Sequence, residues 1–155
     1  LAITLMKLKN FQPEDFAIYH PGGRLGKRLL LKVSDILIPS EKCPVLNPDT
    51  ATMEEVIIGL SYGLGIVLFS RDGKLEGIMT DGDVRRILQK YQSEIFKLAV
   101  QSMMTKNPTT IQKEGMAVDA LSLMEKRDRP LNVVPVLDGE QLAGILRLHE
   151  LLRVS

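Results

Sequence analysis

"LGIVLFSRDGKLEGIMTDGDVRRIL" occupies residues 64–88, and "LNVVPVLDGEQLAGILRLHELLRV" occupies residues 131–154. Set against each other at an offset of 67 residues, Ile66 meets Val133, Gly77 meets Gly144 and Arg86 meets Arg153. Each stretch holds two apolar runs separated by a short polar turn: "IVLFS" and "KLEGIM", then "VVPVL" and "QLAGIL". Asp72-Gly73 and Asp138-Gly139 supply the positive-φ turn chemistry that a hairpin requires. One hairpin written twice is the mark of a duplicated unit.

The duplication extends outward. Val33 of "VSDIL" matches Val100 of "VQSMM" at the same offset, while between these anchors the helix "TMEEVIIGL" aligns with "AVDALSLM" only after small gaps. Each copy opens with a short helical turn and runs through a Pro-containing extended piece, "CPVLNPDT" or "NPTTIQKEG". Apolar spacing then predicts amphipathic helices over 51–61 and 116–127, and closing helices follow the hairpins at 81–91 and 147–153. The order is α-β-α-β-β-α, twice: an α/β (α+β) tandem with pseudo-two-fold symmetry. A repeat of about 60 residues buries too little apolar area to stand alone. The copies, 32–98 and 99–155, are therefore expected to pack sheet against sheet, leaving residues 1–31 outside the repeat.

Composition narrows the function classes. Charged residues are 25% of the chain, hydrophobic residues 45%, and the formal net charge is +1. That charge builds no field that would recruit nucleic acid or an anionic membrane surface. No apolar run reaches membrane-spanning length. The single cysteine, Cys43, has no partner for an internal disulfide, which fits a cytoplasmic setting. No His/Cys cluster with metal-ligand spacing occurs, so no metal is expected.

Polar residues concentrate at "GIMTDGDVRR", where a strand ends at Met79 and a helix begins. Thr80 and Asp83 fall on the first helical turn, where backbone N–H groups and the helix dipole favour an anion. Thr80 offers a hydroxyl to a phosphate, Asp83 accepts from a pair of sugar hydroxyls, and Arg86 adds a cation one turn on. A plain N-cap ahead of a solvated helix accounts for the same residues. In the second copy Arg147 stands in place of Thr80 and Glu150 in place of Asp83, so any ligand is expected to favour the first copy. His149 reads as a helix-surface residue.

The repeat, the hairpin and the strand-end "GIMTDGD" resemble a pair of cystathionine-β-synthase-type (CBS) domains, a regulatory module that commonly binds nucleotides between its copies. In that family a Thr or Ser, two residues and an Asp close each copy; Thr80 and Asp83 match, whereas Arg147 and Glu150 depart from the pattern. The resemblance implies Thr80 and Asp83 as ligand-binding residues; Arg86 lies a further turn along the same face, and the neighbouring strand residues Ile66 and Val67 are expected to flank the base with apolar and backbone contacts. No cofactor is required under this reading.

Residues 16–30, "FAIYHPGGRLGKRLL", have no regular period. With "EDFA", "HPGG" and the Leu-rich link into "VSDI", they resemble the junction between the sugar-isomerase domain and the CBS pair of bacterial arabinose-5-phosphate isomerases. Residues 1–31 would then be the tail of that domain, and a chain opening at Leu1 within a helical pattern reads as part of a longer protein. The family interconverts ribulose 5-phosphate and arabinose 5-phosphate for Kdo and lipopolysaccharide. It implies an active-site role for His20, which suits acid–base work because imidazole titrates near neutrality. The rest of the catalytic set is absent, so these residues alone are expected to be inactive. CMP-Kdo, CMP, AMP and ATP are the candidate regulatory nucleotides, in a homo-oligomer. The competing readings are an oligomerisation scaffold without ligand and the sensor of another sugar-phosphate isomerase.

Overall fold

A computed structural model describes residues 30–153 of the chain. The expectations for His20 and for residues 1–29 lie outside the described residues.

Both hairpins form where the turn chemistry places them. In the first, β3 (Ile66–Arg71) pairs antiparallel with β4 (Lys74–Thr80), and Asp72 and Gly73 take the positive φ values of 55° and 80°. In the second, β7 (Val133–Asp138) pairs with β8 (Gln141–Arg147). The repeat is kept even in its irregularities: a register shift falls between Phe69 and Ser70 in one hairpin and between Val136 and Leu137 in the other.

Helix α1 (Met53–Leu60) starts two residues later than its periodicity suggests, because Thr52 caps it. The Thr52 hydroxyl accepts from the Glu55 N–H at 3.2 Å and the Glu55 carboxylate accepts from the Thr52 N–H at 3.0 Å. Helix α2 (Asp81–Tyr91) closes the first copy; the short α3 (Val100–Met103) opens the second, and α4 (Ala117–Glu125) and α5 (Leu148–Arg153) complete it.

Strand alternation sorts the apolar side chains into separate layers. Val67 and Phe69 of β3, with Met79 of β4, pack on Met53 and Val56 of α1. Val134 and Val136 of β7, with Leu146 of β8, pack on Ala117, Ala120 and Met124 of α4. The opposite faces meet in a seam, where Ile66, Leu68 and Ile78 of the first copy touch Ile145 and, at its edge, Val133 of the second. The copies thus pack sheet against sheet. At the hairpin tips a single pairing, Lys74 with Gln141, joins β4 to β8.

The copies also exchange their opening segments. Strand β1 (Ile38–Pro39) belongs to the first repeat but pairs with β8 of the second, while β5 (Thr105–Lys106) of the second pairs with β4 of the first. Val33 is fully buried in the second copy's core, and Val100 is buried in the first copy's. Two further short strands, β2 (Val45–Leu46) and β6 (Ile111–Gln112), pair in parallel with β3 and β7 of their own copies.

Cys43 is buried at the seam with its Sγ 3.4 Å from the Pro39 carbonyl oxygen. Burial, with a smaller contribution from the charge of Glu41, pushes its thiol up to about 11. Only the thiolate attacks, and at pH 8 about one part in a thousand is ionised. A disulfide reagent at pH 8 is therefore expected to leave the native chain unlabelled and to modify Cys43 once denaturant is added. Rapid labelling of the native chain, at the rate of an unfolded one, would contradict this placement.

Candidate functional site

At the ends of the hairpins away from their turns, Ile66 pairs with Thr80 and Val133 pairs with Arg147. Beyond these pairs the two copies part, and a cleft of about 750 Å³ opens between them. One wall comes from the Gly63–Gly65 turn and the start of α2; the other comes from residues 130–133 and the start of α5. The glycines are required here: Gly63 and Gly65 have φ of 85° and 80°, which side chains disfavour. The Gly65 carbonyl accepts from the Asp81 N–H at 3.2 Å, and the Asn132 carbonyl accepts from the Leu148 N–H at 2.8 Å, so each loop is tied to the helix beside it.

Thr80, Asp83 and Arg86 come together. The Thr80 hydroxyl accepts from the Asp83 N–H at 3.2 Å, and one Asp83 oxygen accepts from the Thr80 N–H at 2.9 Å. The other Asp83 oxygen accepts from Arg86 Nη2. Thr80 and Arg86 line the cleft, and Asp83 stands immediately behind Thr80, where the capping box fixes its carboxylate. The N-cap reading and the site reading therefore describe the same three side chains.

Ile66 and Val67 stand elsewhere. Both are fully buried, Ile66 in the seam and Val67 under α1, because alternation along β3 turns them to the two packed faces of its sheet. The apolar lining comes instead from Leu64, Leu131, Val133, Leu148 and Leu152. Arg85 also lines the cleft and forms no ion pair with another described residue; the sequence reading singled out only its neighbour Arg86. Helical phase is the signal that finds it, since Arg85 falls one turn after Asp81 on the same cleft wall. His149 is exposed, as a surface position, but sits on the cleft wall.

The second half of the cleft is built differently. Arg147 Nε and Nη2 donate to the two oxygens of Glu150 at 2.6 and 3.0 Å, and Nη1 donates to the carbonyl of Gly63 at 3.3 Å. The bond from Arg147 outweighs the opposing effect of burial and holds the Glu150 carboxyl below its ordinary 4.5. A carboxyl depressed on folding contributes stability that is complete above the unfolded value and lost as pH falls through the folded one. Glu150→Gln is expected to lower the melting temperature at pH 7, where the pair contributes on the order of 1 kcal/mol, and to flatten the acid limb below about pH 4.5. An acid limb as steep as in the unmutated chain would show that the pair does not drive it. Among the described residues no group of three or more His, Cys, Asp or Glu side chains is arranged to hold a metal ion.

Two pseudo-symmetric copies with interleaved openings and a cleft between their closing helices define a tandem domain pair: the chain belongs to the CBS domain family, whose model matches residues 33–90 and 100–155. Along its whole length it is similar to arabinose 5-phosphate isomerase KdsD. Identity is 40% over 159 residues with the Francisella tularensis protein, 39% over 157 with that of Salmonella typhimurium and 37% over 157 with that of Escherichia coli K12. The chain covers 47% of each, so it spans about half the length of these curated relatives.

Among solved structures, CBSX2 in complex with AMP superposes with a TM-score of 0.64 at 24% identity, covering 79% of this chain and 93% of that one. The CBS domain pair of protein MJ0100, in complex with 5-methylthioadenosine and S-adenosyl-L-methionine, gives 0.66 at 24%, covering 80% and 94%. At this identity they attest the fold.

No described helix is long and apolar enough to cross a membrane.

Proposed function

We propose that this chain is the ligand-sensing CBS pair of a D-arabinose-5-phosphate isomerase, and that the cleft beside Thr80 takes a phosphorylated nucleoside or a nucleotide sugar. The observation that carries this reading is the cleft itself. It holds about 750 Å³ between the copies, with the N-terminus of an eleven-residue helix and the guanidinium of Arg85, which pairs with no described carboxylate, on one wall. Beside the Asp81 carboxylate on the same wall, the helix dipole and the Arg85 cation are the groups that attract a phosphate. The oriented carboxylate of Asp83 lies one residue layer behind and accepts from sugar hydroxyls once Arg86 swings aside; Arg86 is 63% exposed, so that movement is cheap. Similarity to the KdsD proteins over the entire chain supports an isomerase parent; under this reading His20 belongs to its active site, the setting is cytoplasmic and the assembly is a homo-oligomer. Adenine ligands in two structural neighbours support a nucleotide.

CMP-Kdo is the preferred ligand, because an end product that returns to the enzyme supplying its first precursor closes a feedback loop. CMP, AMP and ATP are the comparators. Calorimetric titration of all four into the 155-residue chain tests the reading. Saturable binding of at least one, tightest for CMP-Kdo, is the expected outcome. No heat of binding from any of them would defeat it in favour of an oligomerisation scaffold. One observation favours that second reading: Thr80, Asp83, Arg86 and Arg147 are all bonded within the chain.

A further inference from the structure

The two halves of the cleft are related by the repeat, yet they are furnished differently. In the first copy the strand ends in Thr80, a small side chain on the cleft wall. In the second copy the equivalent strand position is Arg147, and its side chain does not extend into solvent: it is 24% exposed, against 63% for Arg86. Nε and Nη2 grip both oxygens of Glu150, itself 18% exposed, and Nη1 reaches across to the Gly63 carbonyl on the other copy's rim.

We propose that Arg147 is a built-in occupant of the second half of the cleft. Its guanidinium, gripped by Glu150 and strapped to Gly63, stands where a ligand's polar group would sit, so the pair takes one nucleotide where two related half-sites would otherwise take two. This rests on the reading of the cleft as a nucleotide site.

The chemistry works against a second ligand in either way it could enter. Displacing Arg147 breaks a bidentate, charge-assisted pair and strands a poorly hydrated carboxylate. Recruiting Arg147 as a phosphate partner sets a free anion against Glu150, which is already in place at an effective concentration in the millimolar range or above. The strap adds a mechanical consequence. Gly63 lies in the turn whose Tyr62 and Gly63 amides bond the Gly59 and Leu60 carbonyls, so Arg147 also holds that rim in position.

The test compares the unmutated chain with the double variant Arg147→Thr/Glu150→Asp, which restores in the second copy the residue pair found in the first. Calorimetry with CMP and with ATP reads the stoichiometry, and melting curves confirm that both proteins are folded. The expected result is one nucleotide per unmutated chain and two per double variant. Hydrogen exchange without ligand should be about fivefold faster at Tyr62 and Gly63 in the variant, the loss of one hydrogen bond. Two nucleotides on the unmutated chain would overturn the proposal, as would one on a folded double variant with unchanged exchange. If the double variant does not fold, the stoichiometry of the unmutated chain decides. Absence of binding in both proteins is a different result: it removes the nucleotide reading and this proposal with it.

Discussion

Gly144→Ala is expected to destabilise the fold by about 3 kcal/mol and to lower the melting temperature by roughly 10 °C, the largest effect of a methyl group added at any described glycine. A Cβ on Gly144 would lie 2.0 Å from the Ile38 carbonyl oxygen, 2.9 Å from its carbonyl carbon and 3.0 Å from Pro39 Cα. All three are backbone atoms, so no rotamer change relieves the contact. They belong to β1, the segment that the first repeat lends to the second, paired through Pro39 and Gly144. Pushing β1 away also withdraws Val33, which is fully buried in the second core a few residues earlier.

Two controls isolate the cause. Gly77, one repeat earlier, faces the reciprocal segment, where a Cβ would meet Met104 Sδ at 2.8 Å and the Thr105 carbonyl oxygen at 2.9 Å. A methionine side chain yields and a carbonyl does not, so Gly77→Ala should cost less than Gly144→Ala but more than a surface change. Gly139→Ala meets nothing within 4 Å and carries only the penalty of its positive φ, about 1 kcal/mol. Thermal melting of the three variants orders them. A Gly144→Ala chain that melts within 2–3 °C of the unmutated one, a shift worth about 1 kcal/mol or less, would contradict the close crossing.

Those glycines mark where reading the sequence succeeded and where it stopped. Gly77 and Gly144 anchored the repeat because they align at one offset, yet nothing in a linear pattern says that each faces a strand from the other copy. Alternation and turn residues are local, and they placed both hairpins and the helices between them. Exchange of the openings is a long-range arrangement in which Val33 and Val100 each join the other copy's core.

The site divides in the same way. Thr80, Asp83 and Arg86 lie within one helical turn or two of each other, so spacing alone brought them together. Ile66 and Val67 were placed beside the base by nearness along the strand, but β3 is covered on both faces and buries them. The true lining arises from loops of two copies facing each other, Leu64 against Leu131 and Val133, which only the folded pair assembles.

Asp83→Ala should weaken nucleotide binding by about ten- to a hundredfold, the loss of a charge-assisted hydrogen bond worth roughly 1.5–3 kcal/mol. The substitution does more than remove a contact. It deletes the acceptor for the Thr80 N–H and releases Arg86, so α2 loses half of its capping box. Loss of a cap costs about 1 kcal/mol of stability by itself. Asp83→Asn separates the two roles, since its amide oxygen still accepts from the Thr80 N–H while the charge that receives two sugar hydroxyls is gone. Binding by Asp83→Asn should therefore fall nearly as far as by Asp83→Ala, with most of the melting temperature retained. Glu150→Ala, in the half of the cleft that Arg147 fills, should change affinity far less. Calorimetry with CMP-Kdo, CMP, AMP and ATP on the unmutated chain and these three variants measures all of it. Equal losses from Asp83→Ala and Glu150→Ala would erase the asymmetry between the copies. Full affinity in Asp83→Asn would reduce Asp83 to a helix cap, leaving the dipole of α2 and Arg85 as the groups that hold the phosphate.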